Sequence, residues 1–126
     1  MERLRQRNIH ALLLIVRGGL LLVNTMNQFQ AAVNGDLDWF LSNKINADLA
    51  CNDNVFSTAL MYACDAGYYE IVEHLLLNEG ASINKRDSDG WNAIMYAVGE
   101  GHNDIVMLML SRGANTVWWN LSNYLV

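Results

Sequence analysis

The chain matches itself at a shift of 34 residues. Asp53 falls on Asp87, Ala59 on Ala93, and Met61-Tyr62-Ala63 on Met95-Tyr96-Ala97. Gly67 falls on Gly101, Ile71-Val72 on Ile105-Val106, and Leu76 on Leu110. The shift then shortens to 33, and Gly80-Ala81 falls on Gly113-Ala114. One residue is therefore inserted in the earlier copy, just before Gly80. A period of 33–34 residues means stacked units, because a unit this short cannot bury both faces of its own helices.

Each copy reads as two short helices. The first begins after Thr58 in one copy and after Asn92 in the other, both good N-cap residues. Gly67 and Gly101 break the chain between the helices. The second helix places Ile71, Val72, Leu75 and Leu76 on one face, and Ile105, Val106, Met109 and Leu110 repeat that face. Gly80 and Gly113 are expected at the helix C-caps, in left-handed backbone. Residues 82–91 are polar and contain Gly90, which suits an extended hairpin between copies. Ala59, Ala63, Ala93 and Ala97 allow the first helices to approach closely. A larger side chain there is expected to overpack, at roughly 1–3 kcal/mol.

These residues resemble the ankyrin repeat family. Thr58-Ala59-Leu60-Met61-Tyr62-Ala63 is similar to the family signature Thr-Pro-Leu-His-x-Ala, and Asn92-Ala93-Ile94-Met95-Tyr96-Ala97 is a second copy. Gly101-His102, Gly80-Ala81-Ser82-Ile83-Asn84 and Asp87-Ser88-Asp89-Gly90 match the family's Gly-His, Gly-Ala-x-x-Asn and Asp-x-x-Gly. The resemblance implies an all-α solenoid of stacked helix-turn-helix units with β-hairpin-like fingers. It divides the chain into a basic and apolar segment at 1–25, a short capping repeat at 26–52, repeats at 53–86 and 87–119, and a truncated finger at 120–126. His102 then takes a structural place, and Asn84 braces its hairpin.

The departures are specific. The chain has no proline at all, and Ala59 and Ala93 replace the signature Pro, so each first helix starts without a pre-organised N1 residue. Met61 and Met95 replace the signature His, with the expected loss of a polar contact to the turn. Phe56 stands where the finger carries Gly, and Val117 replaces an Asn.

Charge excludes one class of partner. Residues 1–23 hold Arg3, Arg5, Arg7 and Arg17 against Glu2 alone, while the rest holds four basic and twelve acidic residues. An acidic body is not a nucleic-acid binder, which needs a basic face. Cys51 and Cys64 are too few for a secreted disulfide framework and match no zinc pattern. No phosphate loop, His-Glu-x-x-His or calcium-loop pattern is present. Neither catalysis, nor a metal, nor a cofactor is expected.

Protein recognition is the expectation that remains. By the resemblance, partners are gripped by finger tips and the exposed side of the first helices. Carried over by position, this selects Asn54, Val55, Ser57, Asp65 and Ala66 in one copy and Arg86, Ser88, Asp89, Trp91 and Glu100 in the next. Trp91 leads, because aromatic anchors dominate interface energetics. Uncapped stack ends offer a route to self-association, with Trp118 and Trp119 following the last complete copy.

Residues 1–23 support a second reading. Residues 9–23 are largely apolar after an Arg-rich start, interrupted by Arg17 and Gly18-Gly19. The segment is expected to dock on the open N-terminal end of the stack. The alternative is a membrane or organelle anchor, which makes the chain a targeted adaptor. The expected location is cytoplasmic, with membrane-associated or mitochondrial as the alternatives.

Overall fold

The structure is a computed structural model that describes residues 26–52 and 55–116. These residues form six helices in three antiparallel pairs: α1 (Gln28–Asn34) with α2 (Leu37–Ser42), α3 (Ala59–Ala66) with α4 (Tyr69–Leu77), and α5 (Ala93–Gly99) with α6 (Asn103–Ser111). The first helices pack in the order α1, α3, α5, and the second helices in the order α2, α4, α6. No strand occurs among the described residues, so the fingers are turns rather than β-ladders.

Local chemistry sets the helix starts. The Asn27 carboxamide oxygen accepts from the backbone N–H groups of Phe29 (3.0 Å) and Gln30 (2.9 Å). Asp36 accepts from Trp39 N–H at 3.0 Å. Thr58 and Asn92 cap α3 and α5 as expected, accepting from Met61 and Met95 N–H, each at 3.4 Å. Met61 also reverses one expectation. Its buried sulfur accepts from Thr58 N–H at 3.4 Å, so the turn keeps a polar contact where the signature His is missing.

Helix ends follow from left-handed glycine. Gly35 and Gly67 are C-caps with φ of 73° and 85°, and each lets the next residue's N–H return to a carbonyl five residues back, Asp36 to Ala31 and Tyr68 to Ala63. Gly80 and Gly113 are left-handed too, but they lie beyond the caps, which are Asn78 and Arg112. The inserted residue is visible at this point. Ala114 N–H closes on Met109 O at 3.0 Å, and the equivalent Ala81 N–H closes on Leu75 O at 3.0 Å across one residue more. The repeat changes length in the exit loop and keeps the helix register.

The core runs as one column through all three pairs. Ala31, Phe40, Leu60, Tyr62, Ile71, Leu75, Ile94, Tyr96, Ile105 and Met109 are buried within it. Ala59, Ala63, Ala93 and Ala97 are fully enclosed, as their small size requires at the α3–α5 contact. Leu76 and Leu110 complete their helix faces but remain partly exposed.

Candidate interaction surface

The second finger, residues 82–91, is organised by one carboxylate. Asp87 Oδ1 accepts from Asp89 N–H and Trp91 N–H, both at 3.0 Å, and Oδ2 accepts from the buried Tyr96 hydroxyl. Asp87 N–H donates to Trp91 O at 2.8 Å and closes the loop. Asp87, one residue of the polar run at 82–91, is therefore buried, and it ties the tip to α5. Trp91 lies with its ring centroid 5.1 Å from that of Tyr96.

Bonds between repeats hold the fingers in line. Ser88 N–H donates to Val55 O at 2.8 Å, joining the second finger to the first. Within the first, Cys51 N–H donates to Ser57 O at 2.7 Å. Ser82 gives its N–H (2.8 Å) and its hydroxyl (2.6 Å) to the Asp48 carboxylate of the preceding repeat. The Ser82 hydroxyl bond is the main reason the Asp48 carboxyl is held below its ordinary value, with the Ser82 N–H and Lys85 assisting against partial burial. Asn84 braces the next junction as expected, with its oxygen accepting from Asn115 N–H at 2.6 Å and its amide donating to Gly113 O at 3.4 Å.

The candidate residues divide into separate places. Arg86, Ser88 and Asp89 are exposed on the second finger, and Trp91 is half-buried beside them. Ala66 and Glu100 are exposed at the far ends of α3 and α5, about 12 Å away along a helix of eight residues. Val55, Ser57 and Asp65 are buried, which takes them off the accessible surface. The reason is long-range pairing: the Val55 and Ser57 carbonyls serve the fingers, and Asp65 O meets His102 Nε2 of the following repeat at 2.9 Å. Asn54 lies outside the described residues, as do residues 1–25 and 117–126 with Trp118 and Trp119.

Phe56 belongs beside these candidates although position alone did not select it. It is 51% exposed and is the one non-glycine residue with positive φ among the described residues. The signal was an aromatic residue in a glycine position.

Two further observations concern the described residues only. No helix is long and apolar enough to cross a membrane. No group of three or more His, Cys, Asp or Glu side chains is placed to hold a metal ion.

Comparison with known proteins gives a consistent family. A model of ankyrin repeats, in three copies, matches residues 29–117. The Notch-regulated ankyrin repeat-containing protein of Xenopus laevis is 36% identical over 97 residues, covering 71% of this chain and 82% of that protein. BCL-6 corepressor-like protein 1 of Homo sapiens is 34% identical over 67 residues, covering 53% of this chain. The ankyrin repeat and KH domain-containing protein mask of Drosophila melanogaster is 35% identical over 68 residues, covering 54%. The chain spans only 4% and 2% of the length of those last two relatives. Among solved structures, a chain in the complex of the Bdellovibrio bacteriovorus predatory endopeptidase Bd0816 with the immunity protein Bd3460 matches with a TM-score of 0.60. It is 28% identical and covers 71% of this chain and 47% of that one. Three stacked helix pairs, their finger turns and these matches agree: the chain belongs to the ankyrin repeat family.

Proposed function

We propose that this chain is a non-catalytic recognition module that binds a protein partner through its row of fingers, with Arg86, Ser88, Asp89 and Trp91 as the contact group. Ankyrin repeats generally mediate protein–protein interaction, and the family is generally non-catalytic. The observation that carries the reading is the Asp87 hub. It holds the finger backbone at both ends of the tip and leaves the tip's side chains facing outward. A loop fixed before binding loses little conformational entropy on binding, so its contacts convert efficiently into affinity. Trp91 adds aromatic area to a polar rim, the composition found at interface centres. The structural match to a chain in a protein–protein complex points the same way.

The test is affinity capture with the whole chain as bait, followed by two substitutions. Arg86→Glu reverses a charge on an exposed side chain and is expected to leave the circular dichroism spectrum unchanged. Trp91→Ala removes the aromatic candidate. Both are expected to weaken the captured complex at least tenfold. A partner retained equally by both variants rejects the second finger as the contact.

A further inference from the structure

We propose that residues 117–126 fold back over the outer side of α5 and cover it as a stacked repeat would, with Trp118 and Trp119 as the side chains that lie on Met95 and Val98. This concerns the face on which repeats stack, and it stands whether or not the fingers bind a partner.

The copies identify that face by comparison with one another. Counted back from the turn glycines Gly35, Gly67 and Gly101, Phe29 and Ala32 of α1, Met61 and Cys64 of α3, and Met95 and Val98 of α5 are equivalent. The Phe29 ring lies against Tyr62 of α3, with centroids 6.2 Å apart. Ala32, Met61 and Cys64 are 0%, 1% and 0% exposed. These are the positions at which one repeat receives the next. Met95 and Val98 are partly exposed, and no fourth helix pair occurs among the described residues. The turn after α5 agrees. A Cβ added to Gly67 would meet His102 of the following repeat, whereas among the described residues nothing lies within 4 Å of a Cβ added to Gly101.

The occupant leaves from a fixed point beside this face. Asn92 caps α5 and donates its amide to Asn115 O at 3.3 Å, while Asn115 N–H is held by Asn84 at 2.6 Å. Residues 117–126, which lie outside the described residues, therefore depart next to the first turn of α5, where Met95 sits. Ten residues reach about 33 Å when extended and about 15 Å as a helix, and α5 is about 10 Å long. Seven of the ten are apolar or aromatic. At the shift of 33, Trp118 and Trp119 fall on Lys85 and Arg86, which are exposed on the preceding finger. Aromatic side chains thus replace the polar pattern of an open finger where the chain passes an apolar face. Seating the two indoles on Met95 and Val98 removes apolar area from water on both sides. A segment tethered this closely acts at an effective concentration on the order of millimolar, which favours it over a second copy.

Peroxide oxidation of methionine in the whole chain, read residue by residue by mass spectrometry, tests the cover. Met61 is 1% exposed and Met107 is 59% exposed, so they set the slow and fast limits. In the parent chain Met95 is expected to oxidise at least tenfold more slowly than Met107, because the oxidant must reach the thioether. Trp118→Ser/Trp119→Ser is expected to bring Met95 to the rate of Met107 while Met61 stays slow. Trp118→Phe/Trp119→Phe is expected to keep Met95 protected. If Met61 also quickens in the serine variant, the stack itself has opened, and the single replacements Trp118→Ser and Trp119→Ser decide in the same terms. Met95 that oxidises as fast as Met107 in the parent chain overturns the proposal, and so does protection that survives the serine replacements. Protection lost on dilution of the parent chain also overturns it, because a second copy would then be the occupant.

Discussion

The imidazole of His102 lies directly over Gly67 of the preceding repeat. Its Nε2 is 2.9 Å from Asp65 O, and a Cβ added to Gly67 would fall 2.5 Å from Cε1 of the ring. Tyr68 stands over Gly35 in the same way, and a Cβ there would fall 2.6 Å from its ring. Each repeat thus seats an aromatic ring on the glycine of the one before. Gly67→Ala is expected to destabilise the stack by about 2–4 kcal/mol, combining left-handed strain with displacement of the ring and its bond. Gly90→Ala, in open space at φ of 84°, is expected to cost only the strain, about 1–2 kcal/mol. Chemical denaturation of the two variants measures the difference, and equal losses would refute the seating.

The Asp87 hub makes a second prediction. Asp87→Ala removes the acceptor for two finger N–H groups and leaves the buried Tyr96 hydroxyl without this partner. The expected loss is about 2–4 kcal/mol, against about 1–2 kcal/mol for Tyr96→Phe. The double variant should lose less than the sum, because the two groups share one bond. Strict additivity in a double-mutant cycle would argue that they do not interact.

Acid should loosen the first junction between repeats. The Asp48 carboxyl titrates below its ordinary 3.8 because Ser82 binds the charged form. A depressed folded-state value means the stabilisation is fully present above 3.8 and fades as the pH falls through the lower value. The stability difference between the parent chain and Asp48→Asn should therefore be constant from about pH 7 to pH 5 and shrink in more acid solution. A difference that does not vary with pH down to about 2 would contradict this.

The two thiols should separate in reactivity. Cys64 is fully enclosed at the end of α3, and burial pushes its thiol well above the ordinary 9.0, with Asp65 adding to the effect. Cys51 is partly exposed. Iodoacetamide is expected to modify Cys51 in the folded chain and Cys64 only after denaturant is added, because the thiolate is the reacting form. Mass spectrometry of timed samples distinguishes the two.

Much of the stack is legible from local chemistry. Thr58 and Asn92 announce their helices because capping involves residues three apart, and the apolar faces of α4 and α6 follow from helical spacing alone. Burial in the fingers is not local. Val55 and Ser57 look like surface residues until the neighbouring finger and the preceding loop reach their carbonyls, 33 and six residues away in sequence. The polar run at 82–91 does not reveal that Asp87 is buried, for the same reason, since its partner Tyr96 lies across the start of the next helix. Phe56 is the reverse case. The sequence marks it as irregular, and only the backbone reveals that it keeps the glycine conformation and presents a ring to solvent.

The rings seated on Gly35 and Gly67 are of different kinds, a phenol at the first joint and an imidazole at the second. The chain holds three histidines, so the ring protons of His102 are assigned by comparison with a His102→Gln variant, and their resonances follow the second joint without any added dye. Tyr68 is one of five tyrosines beside four tryptophans, so this private signal belongs to the second joint, whose loosening can be followed apart from the unfolding of the whole stack.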